Sequence, residues 1–221
     1  MAWDMQQNRK PGKRSHGGRP SLEEAELLYG RILDAAAELF TKNGYGGTSI
    51  EAIAAHAGIG KLTLYRRFQD KDALFVAVVM RMAERSAEAM QKIAQKEGSV
   101  EEVLTNAGRH LLNIVLSPES IAFHRILFAE AARLPALCAK ISEDKPTEFA
   151  DALYRMFLQL AERGAIDDKD VAFLDQQFLH AIIGRPLRKA LFGAPPLAPR
   201  AQEEHVRKAV ALFLKGMMPR R

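Results

Sequence analysis

The chain has 221 residues, 48% of them apolar, a formal charge of +5 and a single cysteine, Cys138. That combination describes a globular protein of one large or two small domains, permits a polyanionic partner without naming one, and excludes an internal disulfide framework. Apolar runs such as Leu74 to Met80 are too short to span a bilayer, so no membrane partner is expected and the cytoplasm is the default compartment.

Residues 9 to 19, "RKPGKRSHGGR", carry five Lys or Arg and no acid, enough to account for the net charge. Pro11, Gly12, Gly17, Gly18 and Pro20 disfavour regular structure, and apolar residues for packing are missing. Residues 1–21 therefore read as a flexible basic arm, either a solvated tail or cloning remnant, or an arm that lies against nucleic acid. A secretory signal would follow its basic residues with an apolar stretch, whereas acidic Glu23, Glu24 and Glu26 come next.

Ser21 with Glu24 forms a capping box, and Leu28, Ile32, Leu33, Ala36, Leu39 and Phe40 recur at helical spacing until Gly44, predicting a helix over 22–43. Thr48 and Glu51 suggest a second capping box, followed by Ile50, Ile53 and Ala54 and by Gly58 as a left-handed stop. A short helix from Lys61 to Arg67 follows. Asp70 then caps a fourth helix, about 71–95, carrying Leu74, Phe75, Val78, Val79 and Met82.

Within "HAGIGKLTLYRRF", the run Gly58-Ile59-Gly60-Lys61 has the residue order of a phosphate-cradling loop. A nucleotide site needs an earlier Gly where Ala55 stands and a hydroxyl where Leu62 stands, and a strand rather than a helix before it. Two short helices joined through Gly and braced by a longer one instead form a helix-turn-helix. At 100° per residue Leu64 and Phe68 share one face, which must be buried, so Leu62 and Arg66 point outward. Thr63 and Tyr65 flank them, Lys61 and Arg67 bound them, and no acid occurs between Glu51 and Asp70. This face is either an ordinary solvated surface or a reading surface on which Arg66 bridges guanine edges, Leu62 touches a thymine methyl, Thr63 donates or accepts, and Lys61 reaches phosphate or base.

From Ile32 to Val79 the sequence resembles the DNA-binding domain of TetR-family transcriptional regulators. Phe40, Gly44-Tyr45, Thr48-Ser49-Ile50, Ile53-Ala54, Ala57-Gly58, Thr63-Leu64-Tyr65, Phe68, Lys71 and Leu74 carry the likeness. The resemblance implies phosphate contacts by Thr48, Tyr65 and Lys71, base contacts from Lys61 to Arg66, and an arm through Arg19 along the minor groove. Two residues depart from the family pattern. Gly60 replaces the usual Ser or Thr of the turn, removing a hydroxyl cap and phosphate donor, and Leu62 replaces a small Gly, which bears on base preference or on the depth of the helix in the groove.

Beyond residue 90 the pattern is helical throughout, with segments expected at 99–116, 119–133, 146–163, 168–184, 186–192 and 201–217. Pro146 suits a first turn, Gly164 a stop and Asp167 or Asp168 the next start, while Pro118, Pro135, Pro186 and "GAPPLAP" mark breaks. "FHRILFAEAARLPALCAK" and the helix after it are similar to the C-terminal domains of AefR-type members. The resemblance implies a small-molecule effector site and a dimer interface in this half.

An effector pocket is expected among Leu111, Val115, Phe123, Leu127, Leu153, Phe157, Phe173, Gln177 and His180, each of which also reads as ordinary core. On the last helices Phe178, Leu179, Ile182, Ile183, Val206, Val210, Phe213 and Leu214 exceed one inward stripe; they are buried within the chain or against a second copy. Paired helices from two chains would make a twofold four-helix bundle that sets two reading heads on a pseudo-palindromic site.

His56, His110, His124, His180 and His205 are scattered without metal-ligand spacing, Cys138 reads as a structural thiol, and no nucleophile elbow occurs, so neither metal, cofactor nor enzymatic activity is expected. The expected fold is all-α. It comprises a three-helix DNA-binding domain with a helix-turn-helix (22–70), a connecting helix (71–95) and a helical ligand-binding and dimerisation domain (96–221). The expected function is a sequence-specific DNA-binding transcriptional regulator, a homodimeric repressor released from double-stranded DNA by an apolar or amphipathic small molecule. A ligand-independent regulator acting through a protein partner and an all-α enzyme are the alternatives.

Overall fold

The computed structural model describes residues 21–96, 98–136, 148–167 and 169–217. The basic arm with Arg19, Cys138, the expected helix start at Pro146, and Asp168 lie outside the described residues. Among those described, all regular structure is helical. α1 (Leu22–Asn43), α2 (Ile50–His56) and α3 (Lys61–Tyr65) form the N-terminal unit, and α4 (Lys71–Ala94) leads into α5 (Val100–Val115), α6 (Pro118–Glu130), α7 (Glu148–Glu162), α8 (Val171–Leu191) and α9 (Pro199–Met217).

Local chemistry explains most boundaries. The Ser21–Glu24 capping box opens α1, Asp70 Oδ1 accepts from Ala73 N at 2.7 Å to open α4, and Pro118 sits in the first turn of α6. Gly58 and Gly164 adopt φ of 67° and 66°, and the following amides reach back to Ala54 O at 2.9 Å and Leu160 O at 3.0 Å, closing α2 and α7 as left-handed stops. Two expected caps are displaced. Ser49, not Thr48, caps α2 by accepting from Ala52 N at 3.1 Å, because the Thr48 hydroxyl faces the protein interior. Asp170, beyond Asp167, caps α8 by accepting from Phe173 N at 3.1 Å.

Pro186 does not divide the chain into two helices as expected. α8 runs continuously from Val171 to Leu191 with Pro186 buried inside it. Proline has no N–H for the carbonyl four residues earlier, which leaves Ile182 O without its helical donor. His205 on α9 supplies one: its Nε2 lies 2.8 Å from Ile182 O and donates to it.

Two apolar cores result. Ile32, Leu33, Phe40, Ile53, Leu64 and Phe75 centre the N-terminal core, while Met90, Leu104, Leu112, Phe157, Phe178 and Val206 centre the C-terminal one. α4 contributes to both. Its Arg81 guanidinium donates to Gly30 O at 2.9 Å and Asp34 Oδ1 at 2.6 Å, tying α1 to the connecting helix.

Gly108 marks a close approach of α5 to α8 and α9. A Cβ there would stand 2.9 Å from Val206 Cγ1 and 3.0 Å from Ile182 Cδ1. Ile182 Cδ1 can swing aside, but the β-branched Val206 is held in its helical rotamer. Gly108→Ala is therefore expected to destabilise the fold by about 1–2 kcal/mol despite alanine's better helix propensity. Chemical denaturation checks this, and a stabilised variant would mean that the helices separate freely.

Candidate nucleic-acid interface

α3 is positioned by the two apolar anchors that its spacing predicts. Leu64 and Phe68 are buried, and Tyr29 of α1 stacks on Phe68 with ring centroids 5.7 Å apart. Their burial fixes the rotation of the helix, so Lys61, Leu62, Tyr65, Arg66 and Arg67 face outward and Thr63 lies half-buried between them. Leu62 is 68% exposed, a large apolar side chain that no described residue covers. Gly60 caps α3 through its extended backbone alone, without a side-chain hydrogen bond.

Lys61 is not a free cation. Its Nζ lies 2.5 Å from Glu51 Oε1 of α2 and 5.6 Å from the Tyr65 ring centroid. The hydrogen bond from Lys61 holds the Glu51 carboxyl below the usual carboxylate range and raises Lys61, so both remain ionised at neutral pH. Both are exposed, and such pairs contribute little to stability. The consequence is for binding, since Glu51 would compete with any phosphate that approaches Lys61. Glu51→Gln is expected to strengthen binding to random duplex DNA. It should also steepen the slope of log K against log salt by up to about one unit. Fluorescence anisotropy over a salt series reads this; an unaltered slope would mean that Lys61 meets no phosphate.

Two residues implied as phosphate contacts are turned to internal tasks. Thr48 is 2% exposed, and its hydroxyl donates to Gly44 O at 2.8 Å with Leu39 O at 3.1 Å, so the side chain braces the loop between α1 and α2 rather than facing a groove. Lys71 is half-buried; its Nζ donates to Tyr45 O at 2.9 Å and Thr48 O at 3.1 Å and lies 4.2 Å from the Tyr45 ring centroid. Asp72 accepts the hydrogen bond of the Tyr45 hydroxyl, whose pKa is pushed up chiefly by burial and further by that carboxylate. The first turn of α4 thus holds the loop that leads into the helix-turn-helix.

The C-terminal domain contains an apolar cavity of about 270 Å³ among α4, α5, α6 and α8. Four of the expected pocket residues line it: Leu111, Val115, Phe123 and Leu127. Leu153 and Phe157 are instead buried in the C-terminal core, and Phe173, Gln177 and His180 lie on the exposed outer face of α8. The reason is rotational. α8 turns Val171, Phe178 and Ile182 inward, which carries positions 173, 177 and 180 outward. Val79, Met82, Ala83 and Ser86 of α4, Ile114 of α5, Ser120 and His124 of α6, and Leu179 and Ile183 of α8 complete the lining, none of them expected at the pocket. The spacing Ser120-x-x-x-His124 was visible, but its inward orientation was not.

The residues expected at a dimer interface also divide. Phe178, Ile182, Val206 and Val210 are buried within the single chain, where Phe178 and Phe213 make an edge contact at 5.5 Å. Leu179 and Ile183 line the cavity, and Phe213 and Leu214 are half-buried on the C-terminal core. Leu179, Ile183, Phe213 and Leu214 thus keep part of their surface exposed, and Phe173 and Leu212 are 54% and 73% exposed. Among the described residues, no group of three His, Cys, Asp or Glu side chains converges as a metal site, and no single helix is long and apolar enough to cross a membrane.

A basic helix-turn-helix presented on an all-α scaffold with its own cavity defines a DNA-binding transcriptional regulator. The family model for bacterial regulatory proteins of the tetR family matches residues 32–78, and that for the AefR-like transcriptional repressor C-terminal domain matches residues 102–216. The chain belongs to the TetR family. It is 27% identical over 187 residues to the HTH-type transcriptional regulator YvkB of Bacillus subtilis, covering 85% of this chain and 95% of that one. A TetR-family regulator from Mesorhizobium loti superposes with a TM-score of 0.79 at 26% identity, covering 88% of this chain and 98% of the other. The flavonoid-responsive regulator FrrA superposes with a TM-score of 0.68 at 26% identity, covering 89% and 100%.

Proposed function

We propose that this regulator is a cytoplasmic homodimeric repressor that leaves a pseudo-palindromic operator when a small apolar or amphipathic ligand enters the cavity. Gly60 to Arg67 meet the major groove, with Arg66 on base edges, Tyr65 and Arg67 toward phosphate, and Arg19 of the arm in the adjacent minor groove. Lys71 contributes positive potential while holding its loop. The second copy covers the outer faces of α8 and α9, where Phe173 and Leu212 stand exposed. FrrA, by its name, answers to flavonoids, which supports a ligand-responsive reading.

The carrying observation is the double membership of Phe123. It lines the cavity and also belongs to the N-terminal core, its ring 5.3 Å from Phe75 and 6.4 Å from Phe40. A ligand that displaces Phe123 must disturb the packing of α1 and α4 beneath the reading head. It then favours a dimer whose heads are wrongly spaced, by its differential affinity for that form. Selection from a random DNA pool by the full-length protein tests the reading. The expected product is an inverted repeat with half-sites about one helical turn apart. Recovery of single half-sites would count against the dimer, and a complex unresponsive to every cavity-binding compound against release.

A further inference from the structure

Resting on that reading of the cavity, we propose that the effector is an uncharged, ring-sized apolar molecule carrying a hydroxyl group, and that Ser120 and His124 read the hydroxyl. Among the described residues no Lys, Arg, Asp or Glu lines the cavity, so neither an anionic nor a cationic ligand meets a fixed countercharge there. Its polar groups are Ser86 on the α4 wall and Ser120 and His124, one turn apart on α6.

The hydrogen bonds assign what α6 offers. His124 Nδ1 lies 2.7 Å from Ser120 O, and a carbonyl only accepts, so Nδ1 carries the proton of that bond. In the neutral ring Nε2 is then an acceptor, and it has no partner among the described residues. Ser120 is 4% exposed, and its Oγ lies 3.3 Å from the same Nδ1. Because Nδ1 is the donor, Oγ can only accept there, and the serine's own O–H has no acceptor among the described residues. A buried donor and a neighbouring acceptor thus remain on one wall of a half-open apolar cleft.

A hydroxyl complements this pair because it donates to Nε2 and accepts from Ser120. A carboxylate has acceptors only and would place negative charge against the Nε2 lone pair. A hydrocarbon would leave the serine proton and the imidazole nitrogen dry and unsatisfied. As to size, a cavity of about 150 Å³ admits benzene. The roughly 270 Å³ here therefore suits two fused rings.

The test titrates the full-length protein with 2-naphthol, naphthalene and 2-naphthoate, following probe fluorescence, and repeats each titration with the operator complex. 2-Naphthol is expected to bind about tenfold more tightly than naphthalene, as one buried hydrogen-bonded hydroxyl should provide. Ser120→Ala and His124→Phe should each bring that ratio toward one, whatever either does to naphthalene affinity itself. Equal affinity for 2-naphthol and naphthalene, tightest binding of 2-naphthoate, no binding of any probe, or variants that keep the ratio would each overturn the assignment. Binding as expected without weakening of the operator complex would leave the ligand class standing and remove the release mechanism. Release by naphthalene as effective as by 2-naphthol would do the reverse.

Discussion

Phe75→Ala is expected to destabilise the protein by about 3–5 kcal/mol, the usual cost of removing a fully buried aromatic side chain. Phe75 is completely buried on α4 and touches three rings: Phe40 at 5.1 Å, Tyr45 at 5.4 Å and Phe123 at 5.3 Å. The first two are edge contacts, the arrangement in which the positive rim of one ring meets the negative face of another. Removing the ring opens a cavity where α1, the α1–α2 loop, α4 and α6 meet. For a chain of this size the thermal midpoint should fall by roughly 10 °C. Phe75→Leu, which keeps most of the volume and loses the ring geometry, should cost about 1–1.5 kcal/mol. Calorimetry on the two variants decides between packing and ring geometry. Equal losses would assign the effect to the aromatic contacts, and a small loss for Phe75→Ala would mean that the junction collapses around the gap.

The sequence made α3 legible because two anchors, Leu64 and Phe68, are its large apolar residues and fix its rotation without outside information. α8 offered no such signal. Phe173, Phe178, Leu179, Ile182 and Ile183 spread apolar surface around much of its circumference, and contact with α5, α6, α7 and α9 selects which of them turn inward. Pairs distant in sequence were hidden for a related reason. Lys71 reaches carbonyls 26 and 23 residues away, and His205 rescues a carbonyl 23 residues away. A helical wheel carries no information about either. Pro186 shows the effect most plainly: read locally it ends a helix, yet a donor from a neighbouring helix makes the continuous one acceptable.

In the proposed mechanism the shared Phe123 couples the cavity to the reading head. α4 enters the helix-turn-helix through Lys71 and Asp72 and lines the cavity two turns later through Val79, Met82, Ala83 and Ser86. Its first turn grips the α1–α2 loop by hydrogen bonds, and Arg81 grips α1, so α4 and the DNA-binding unit have little freedom to move apart. In the proposed mechanism, displacement at the cavity would thereby be delivered to the orientation of the whole head. Substitutions at Phe123 should therefore alter ligand response and DNA affinity together, unlike substitutions at the far cavity wall.

Arg66→Ala is expected to produce the largest loss of operator affinity of any single change on α3. Arg66 is exposed on the reading face, and no ion pair holds it among the described residues, whereas Lys61 is engaged by Glu51. A guanidinium is planar and can meet the O6 and N7 of guanine with two parallel hydrogen bonds, and losing such a contact costs about 1–3 kcal/mol. That corresponds to roughly 5- to 150-fold per half-site, and a symmetric dimer incurs it twice. Affinity for random DNA should change far less, with the salt slope nearly unaltered, because the contact is to base edges rather than to phosphate. Arg66→Lys separates charge from geometry: it should keep the salt slope and still lose most of the base discrimination. Footprinting combined with anisotropy on operator and random duplexes reads both quantities. If Arg66→Ala weakens the two duplexes equally, Arg66 belongs to the phosphate contacts, and Leu62 and Thr63 carry the base reading.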